Sequence, residues 1–387
     1  MFLHQLHLEN ILSFKNTNVE LGHLNVLIGP NAVGKSNLIE AISLLHSLPT
    51  GVSQELLRGG GVRQWLWLGN REGSIVASVK CAIILSSWPG AGELEYRFDF
   101  SEQASGFVIV GEHLSKRAET SSDEAYFLRN FNSAEFGVER SRVQPRAFSI
   151  GPTDSLLSQF KNPLDSTPIT SLGNHLERIR IYREFRTGLG SSVRHGIATT
   201  SPKDSLSEGG DNLALVLQEM DFLGVHERFR DYLRRFCERF EDVKVRVGAG
   251  LAQAFLREEG LTEPLSAVRM SDGTLKFLCL LAALFHPAPP PLMCIEEPEL
   301  GMHPDALRLI AEALIEASER IQLVITTHSE ALIDALSEHP EAVLVCERDF
   351  DNSTQFKRLS AKELEGWLDR YTLGQLWRKG EIGGGRW

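Results

Sequence analysis

The chain has little of what would make it a disulfide-framed, metal-clamped or membrane-bound protein. Of its 387 residues only five are cysteine: Cys81, Cys237, Cys279, Cys294 and Cys346. They are scattered, odd in number and never spaced as a CxxC pair. That argues for a reducing compartment and against a disulfide frame or a structural zinc site. Long apolar runs are also missing. The longest, FLCLLAALF at 277–285, is far short of the roughly 20 residues a spanning helix needs. The opening MFLHQLHLEN has neither the basic n-region nor the apolar h-region of a secretory signal. No fixed-period repeat, low-complexity block or sustained heptad series occurs, so a long coiled-coil arm is not expected. These absences predict a cytoplasmic protein with no membrane partner.

Positive charge is scarce as well. Forty basic residues stand against 51 acidic ones, a net charge of −11. A surface basic all over is excluded, although local patches for nucleic acid are not. What is abundant is apolar material: 42% of the residues are hydrophobic. A chain of this length makes about two domains of roughly 150 residues each.

Along the chain, FLHQLHLENILSF alternates loosely and predicts a strand. LNVLIGP (24–30) is a short apolar strand entering a glycine-rich turn. SNLIEAISLLHSL (36–48) has helical spacing at Leu38, Ile39, Ile42 and Leu45. Three β-rich runs follow, at 74–85, 93–100 and 106–114, punctuated by glycine and proline as in an antiparallel meander. From about 150 to 240 the pattern is irregular and then helical. HERFRDYLRRFCERF (226–240) predicts one helix with Phe229, Leu233, Phe236 and Phe240 on a shared face. VKVRVGAG begins a hairpin-like stretch, and TLKFLCLLAALF is another helix, broken by PAPPP (287–291). LMCIEE, PDALRLIAEALIEA and IQLVITTH then alternate β, α, β, the parallel-sheet signature. The early and late apolar strands are alike in type, which predicts one sheet built from both ends of the chain.

The strongest chemical signal is GPNAVGKS, residues Gly29, Pro30, Asn31, Ala32, Val33, Gly34, Lys35 and Ser36. It fits G-x-x-x-x-G-K-[ST] between a strand and a helix, the context the phosphate-binding loop requires. Its backbone N–H groups would curl around phosphate oxygens, and the helix beginning at Ser36 and Asn37 would add its positive end. Lys35 would reach the β- and γ-phosphates of ATP, and the Ser36 hydroxyl would ligate Mg²⁺. LMCIEEPELGMHP (292–304) supplies the acidic partner. Successive strand side chains point to opposite faces, so Glu296 and Glu297 are expected to divide the work. Glu296 would hold the Mg²⁺ shell and Glu297 would polarise the attacking water. The competing reading is an acidic pair capping a helix opened by Pro298 or Pro304. His328, at the end of ITTH, is placed to bond the γ-phosphate or the water; a merely packed histidine is the alternative. MSDGTLKFL puts Ser271 and Gly273 at a helix start, where an anion or an ordinary Ser/Asp cap would fit.

Together, in this order, these elements resemble the ABC-type ATPase heads of the RecF/SMC/OLD group, and most of all stand-alone prokaryotic AAA family ATPases of that group. GPNAVGKSNLIEAI looks like their Walker A motif and MSDGT like the ABC signature. CIEEPELGMHP looks like Walker B running into the D-loop, and ITTHS like the switch histidine. LHLENILSFKN, GGDNLALVL and YTLGQLWRKGEIGGGRW extend the likeness over most of the chain. The resemblance implies an α/β P-loop NTPase of ABC-ATPase type, with a mixed sheet lobe carrying an antiparallel β meander, plus a helical lobe. Its lobes would comprise residues 1–160, 161–285 and, returning to the first lobe, 286–387. It further implies slow ATP hydrolysis in a homodimer or higher oligomer that sandwiches two ATP molecules. Ser271 and Gly273 of one subunit would touch the nucleotide held by Lys35 of the other. Gln159 is the expected Q-loop ligand to Mg²⁺, and adenine contacts are expected near Phe14 and Lys15. Three positions depart from the family pattern: Ala32 replaces a glycine, Met270 a leucine and Glu296 an aspartate. OLD-type relatives carry a Toprim nuclease domain after the switch histidine. Too little chain follows His328 to hold one, so Glu347, Asp349 and Asp351 in VCERDFDN are expected to form a solvated turn.

Two arginine-bearing segments are candidate DNA contacts: HLERIRIYREFRTGLGSSVRH (175–195) and the 226–240 helix. The first equally suits a solvated face. The function expected is an ATP-driven switch in repair or anti-phage defence, working with a separately encoded effector such as a nuclease or toxin. The alternative is a nucleotide-sensing scaffold that restrains such an effector without acting on DNA.

Overall fold

The structure, a computed structural model, describes residues 1–69, 75–85, 92–103, 106–117, 125–131, 133–136, 148–160 and 167–383. The chain forms two compact units. One comprises Met1–Ile179, Leu344–Leu359 and Ile382–Trp387; the other comprises Arg180–Val343 and Ser360–Glu381.

In the first unit the predicted N-terminal strand is a hairpin, Leu3–Ile11 with Phe14–Glu20. It opens an eight-stranded sheet that continues through Val76–Ile83, Leu94–Gln103, Gly106–Lys116, Ala125–Asn130, Ser133–Phe136 and Phe148–Ser149. The pairings along it are antiparallel. Period-two alternation buries Leu94, Tyr96, Phe98 and Phe100 completely along one face of a single strand. The strand Leu24–Ile28 is buried at every residue, as expected of a strand covered on both faces. Its neighbour in this unit is Val343–Arg348, which pairs antiparallel with Thr354–Arg358. An early strand and a late one therefore share a sheet. The Thr17 hydroxyl donates to the Thr354 carbonyl at 2.7 Å, tying the hairpin to that late strand.

In the second unit Arg180–Tyr182, Leu292–Glu296 and Gln322–Thr326 run parallel in that order. The helix Pro304–Ser318 joins the last two in the anticipated β–α–β unit. Asp272–Leu284 is a helix buried almost all round. A hairpin, Phe240–Gly248 with Leu251–Glu258, stands beside it in the chain. The expected single helix over 226–240 ends at Phe236, because Cys237 turns extended. Tyr232 joins Phe229 and Leu233 on its buried face, while Phe240 opens the hairpin strand instead. Phe236 stacks on Phe277 with ring centroids 4.2 Å apart. No described helix is long and apolar enough to cross a membrane.

Candidate functional site

The phosphate loop follows the buried strand Leu24–Ile28. Its backbone is bent as such a loop must be: φ is +149° at Gly29, +60° at Ala32 and +112° at Gly34. A Cβ at Gly29 would sit 2.6 Å from the Cys346 carbonyl oxygen, and one at Gly34 would press on Ser13 and Thr354. Glycine is required at both by close approach as well as by φ. Alanine at 32 is a different case. The residue adopts the left-handed conformation a glycine would take, at a cost of about 1 kcal/mol.

Two groups remote in sequence bond to this loop, and its own lysine folds back on it. The Thr354 hydroxyl donates to the Val33 carbonyl at 2.5 Å and lies 2.8 Å from the Ser13 hydroxyl. Arg348 donates to the Ala32 carbonyl at 2.8 Å. Lys35 is buried and curls back, its Nζ donating to the carbonyls of Gly29 and Pro30 at 2.9 Å each. The helix Lys35–Ser47 is entered through Gly34, with no side-chain cap and no acidic residue in its first turn. A helix start with neither a capping side chain nor an acid suits an anion. Glycine bends, that helix start and a lysine together fit a phosphate chain.

The acidic motif lies in the second unit. Glu296 ends its strand, with Oε1 at 3.7 Å from Arg183 Nε. Glu297 has left the strand and adopts φ +44°. Its N–H donates to the Thr326 carbonyl at 3.0 Å. The two glutamates part company through this left-handed turn rather than by strand alternation alone. One Glu297 oxygen is 3.7 Å from His328 Nε2, and both side chains are about one-third exposed. Glu299 accepts from the Thr327 hydroxyl at 2.6 Å and from the His328 N–H at 2.8 Å. Burial pushes its carboxyl above the usual range, against those hydrogen bonds, and the Glu297 charge adds to the rise. Neither glutamate of the pair caps the next helix; His303 does, its Nδ1 accepting from Asp305 N.

The MSDGT loop is in the same unit. Ser271 caps the helix Asp272–Leu284, its hydroxyl accepting from Thr274 N at 3.0 Å. A Cβ at Gly273 would lie 3.0 Å from the Gly301 carbonyl, and Lys276 donates to the Leu300 carbonyl at 3.2 Å. The signature loop and the turn after Walker B are therefore packed against each other.

Other expected residues fall elsewhere. Gln159 is exposed at the end of the short helix Leu156–Gln159 in the first unit. Phe14 is fully buried against Phe356, at 5.9 Å between centroids, so its ring is core and offers no face to an adenine. Lys15 pairs with Asp351 at 2.8 Å. Asp349 organises the 348–353 turn, its Oδ1 accepting from the N–H groups of Asp351 and Ser353 at 2.9 Å each. In the 175–195 segment, Arg180 donates to Ser205, Arg186 lies 3.7 Å from Asp211, and Arg194 is buried. In the 226–240 segment, Arg228 and Arg235 meet Glu316 and Glu312. Of these arginines Arg194 is buried, while Arg186 and Arg228 keep most of their side chains exposed. Arg183 and Arg194 entered the sequence reading only as members of the 175–195 arginine segment, and Glu299 only as the third acid of LMCIEEPELGMHP, where the D-loop begins. Arg348 and Thr354 had no expected part.

Bent phosphate loop, parallel β–α–β unit and paired Glu297 and His328 define an ABC-type P-loop ATPase of the RecF/SMC group. The chain belongs to the family described as "AAA domain, putative AbiEii toxin, Type IV TA system", whose model matches residues 24–334. It is similar to the "DNA replication and repair protein RecF" of Picosynechococcus sp. strain PCC 7002, at 47% identity over 51 residues, 13% of each chain. The protein of the same name from Rickettsia typhi is 43% identical over 47 residues, 12% of this chain and 13% of the relative. The chain thus spans about 13% of the length of these curated relatives. In fold it is similar to an SMC head solved with the C-terminal winged-helix domain of ScpA. That match has a TM-score of 0.60 at 12% identity, covering 94% of this chain and 99% of the other. A Pyrococcus furiosus Smc head bound to the C-terminal domain of ScpA gives 0.59 at 12% identity, covering 95% and 98%.

Proposed function

We propose that the chain binds ATP on the 29–37 loop and hydrolyses it slowly as a dimeric switch in a DNA-associated process, repair or anti-phage defence. It would act with a separately encoded effector such as a nuclease. The observation that carries the reading is the Glu297–His328 pair, fixed from behind by Glu299, in a chain whose phosphate loop opens a helix with no capping side chain and no acid in its first turn. Lys35 exchanges the Gly29 and Pro30 carbonyls for phosphate oxygens. Glu297 takes the proton of the attacking water, and His328 orients the γ-phosphate side. Ser36 and Glu296, with Gln159, are the residues proposed to hold Mg²⁺. Bound there, the ion would neutralise charge developing on the phosphate oxygens. Ser271 and Gly273 of a second copy complete the nucleotide's surroundings, so binding closes the dimer and hydrolysis reopens it.

DNA enters through the RecF relatives named for replication and repair, and an effector through the ScpA domain bound to the SMC heads of like fold. A second reading is favoured by the family description, which names a toxin of a toxin–antitoxin system. In it the chain is a nucleotide-sensing scaffold that holds a toxin or other effector. The deciding experiment is light scattering of the Glu297→Gln chain with ATP, followed by DNA binding across a salt series. A dimer that forms only with ATP, and DNA affinity falling steeply with salt, are expected. A persistent monomer removes the switch. Salt-insensitive or absent DNA binding, with a stoichiometric protein partner surviving nuclease treatment, leaves the scaffold.

A further inference from the structure

Arg194 is a charged residue only 4% exposed. Its Nε donates to the Thr187 carbonyl at 2.6 Å. Its Nη1 faces the carbonyls of Met270, Val268 and Ala267 at 2.7, 3.1 and 3.2 Å. Its Nη2 donates to the Asp272 carboxylate at 2.7 Å. Gln253 extends the same cluster, donating to the Arg194 carbonyl at 2.7 Å and to the Ser266 hydroxyl at 3.1 Å. The acceptors run through a short 3₁₀ turn, Ala267–Arg269, into the signature loop. That loop passes from the 3₁₀ turn through Met270 and Ser271 into the first residues of the helix Asp272–Leu284. A planar guanidinium with five donors spans several carbonyls and a carboxylate at once. A lysine ammonium, a single nitrogen, cannot.

We propose that Arg194 is a positioning residue for the reaction: it fixes the Met270–Gly273 loop in the shape that presents Ser271 and Gly273 to the nucleotide held by a second copy. The inference rests on the dimer reading above. It distinguishes two events. Capture of ATP by a single chain depends on the phosphate loop, which belongs to the other unit. Closure of the dimer depends on the signature loop, and so on Arg194.

The test uses the full chain carrying Glu297→Gln, so that ATP is not consumed. Affinity for a fluorescent ATP analogue is measured where the chain is monomeric, and ATP-dependent dimerisation is measured by light scattering. Arg194→Lys is expected to keep nucleotide affinity within about twofold while weakening dimerisation about tenfold or more, the size of a lost charge-assisted hydrogen bond. Asp272→Asn, at a largely exposed side chain, is expected to weaken dimerisation about threefold. Normal dimerisation by a folded Arg194→Lys chain overturns the proposal, as does a parallel loss of nucleotide affinity. Should Arg194→Lys not fold, Asp272→Asn decides, and undiminished dimerisation overturns it. If Glu297→Gln with Arg194 intact stays monomeric under ATP, the dimer reading itself has failed and this inference falls with it.

Discussion

The backbone N–H of His328 donates to the Glu299 carboxylate at 2.8 Å. This bond holds His328 from behind, while its ring faces Glu297 at 3.7 Å. Glu299→Ala is expected to release the turn and lower ATP hydrolysis about tenfold, with thermal unfolding shifted by only a few degrees. Glu299→Gln retains an oxygen acceptor for both donors and is expected to stay within about threefold of the parent. Steady-state hydrolysis by the two variants tests this. Equal losses would remove the hydrogen-bonding explanation.

The same residue sets a pH dependence. Its folded-state carboxyl is raised by burial, so ionisation disfavours the fold. Its contribution is most favourable below the ordinary glutamate value and declines as pH rises through that value toward the raised one. Denaturant unfolding from about pH 4 to about pH 7 is expected to show a smaller decline in Glu299→Gln than in the parent. An identical profile would contradict the assignment.

Glu297→Gln is expected to cut hydrolysis about a hundredfold or more, the usual worth of a positioned base, with ATP affinity nearly unchanged. Lys35→Ala is expected to lose binding itself, because the lysine is the loop's own cation. Equilibrium binding and single-turnover hydrolysis separate the two outcomes. A Glu297→Gln chain that turns over normally would move the base elsewhere.

In the meander, Glu112 is fully buried and accepts from Tyr96 and Ser155 hydroxyls at 2.8 Å and from Leu156 N at 2.9 Å, with Arg129 3.8 Å away. It pins the segment leading to Gln159 onto the sheet. Glu112→Ala is expected to destabilise the fold by about 3 kcal/mol, since it strands several buried donors. Chemical denaturation measures this, and a loss below about 1 kcal/mol would show that the network relaxes or takes up water.

Ala32 tests the loop itself. Replacing it with glycine relieves about 1 kcal/mol of left-handed strain and restores a similar amount of chain freedom to the unfolded state. Ala32→Gly is therefore expected to be near neutral in stability. Ala32→Val is expected to cost about 2 kcal/mol, because a β-branched side chain resists positive φ. Thermal unfolding of the pair checks it; a well-tolerated valine would mean the loop does not need that bend.

The residues by themselves determined the phosphate loop, the helix after it, the antiparallel meander and the late β–α–β unit. Those features are written in neighbouring positions, as glycine spacing, period-two alternation and helical periodicity, and each is decided within a dozen residues. Glu297 and His328 were each legible as residues just past an apolar strand of that unit, but their 3.7 Å approach was not. Tertiary structure decided what depends on residues far apart. It gave Glu299 its role through Thr327 and His328, and set Thr354 and Arg348 against Val33 and Ala32. It also turned Arg194, one of five arginines that read equally well as a solvated face, inward onto the signature loop. A side chain's type limits the bonds it can make, but only the folded chain brings the matching group within reach.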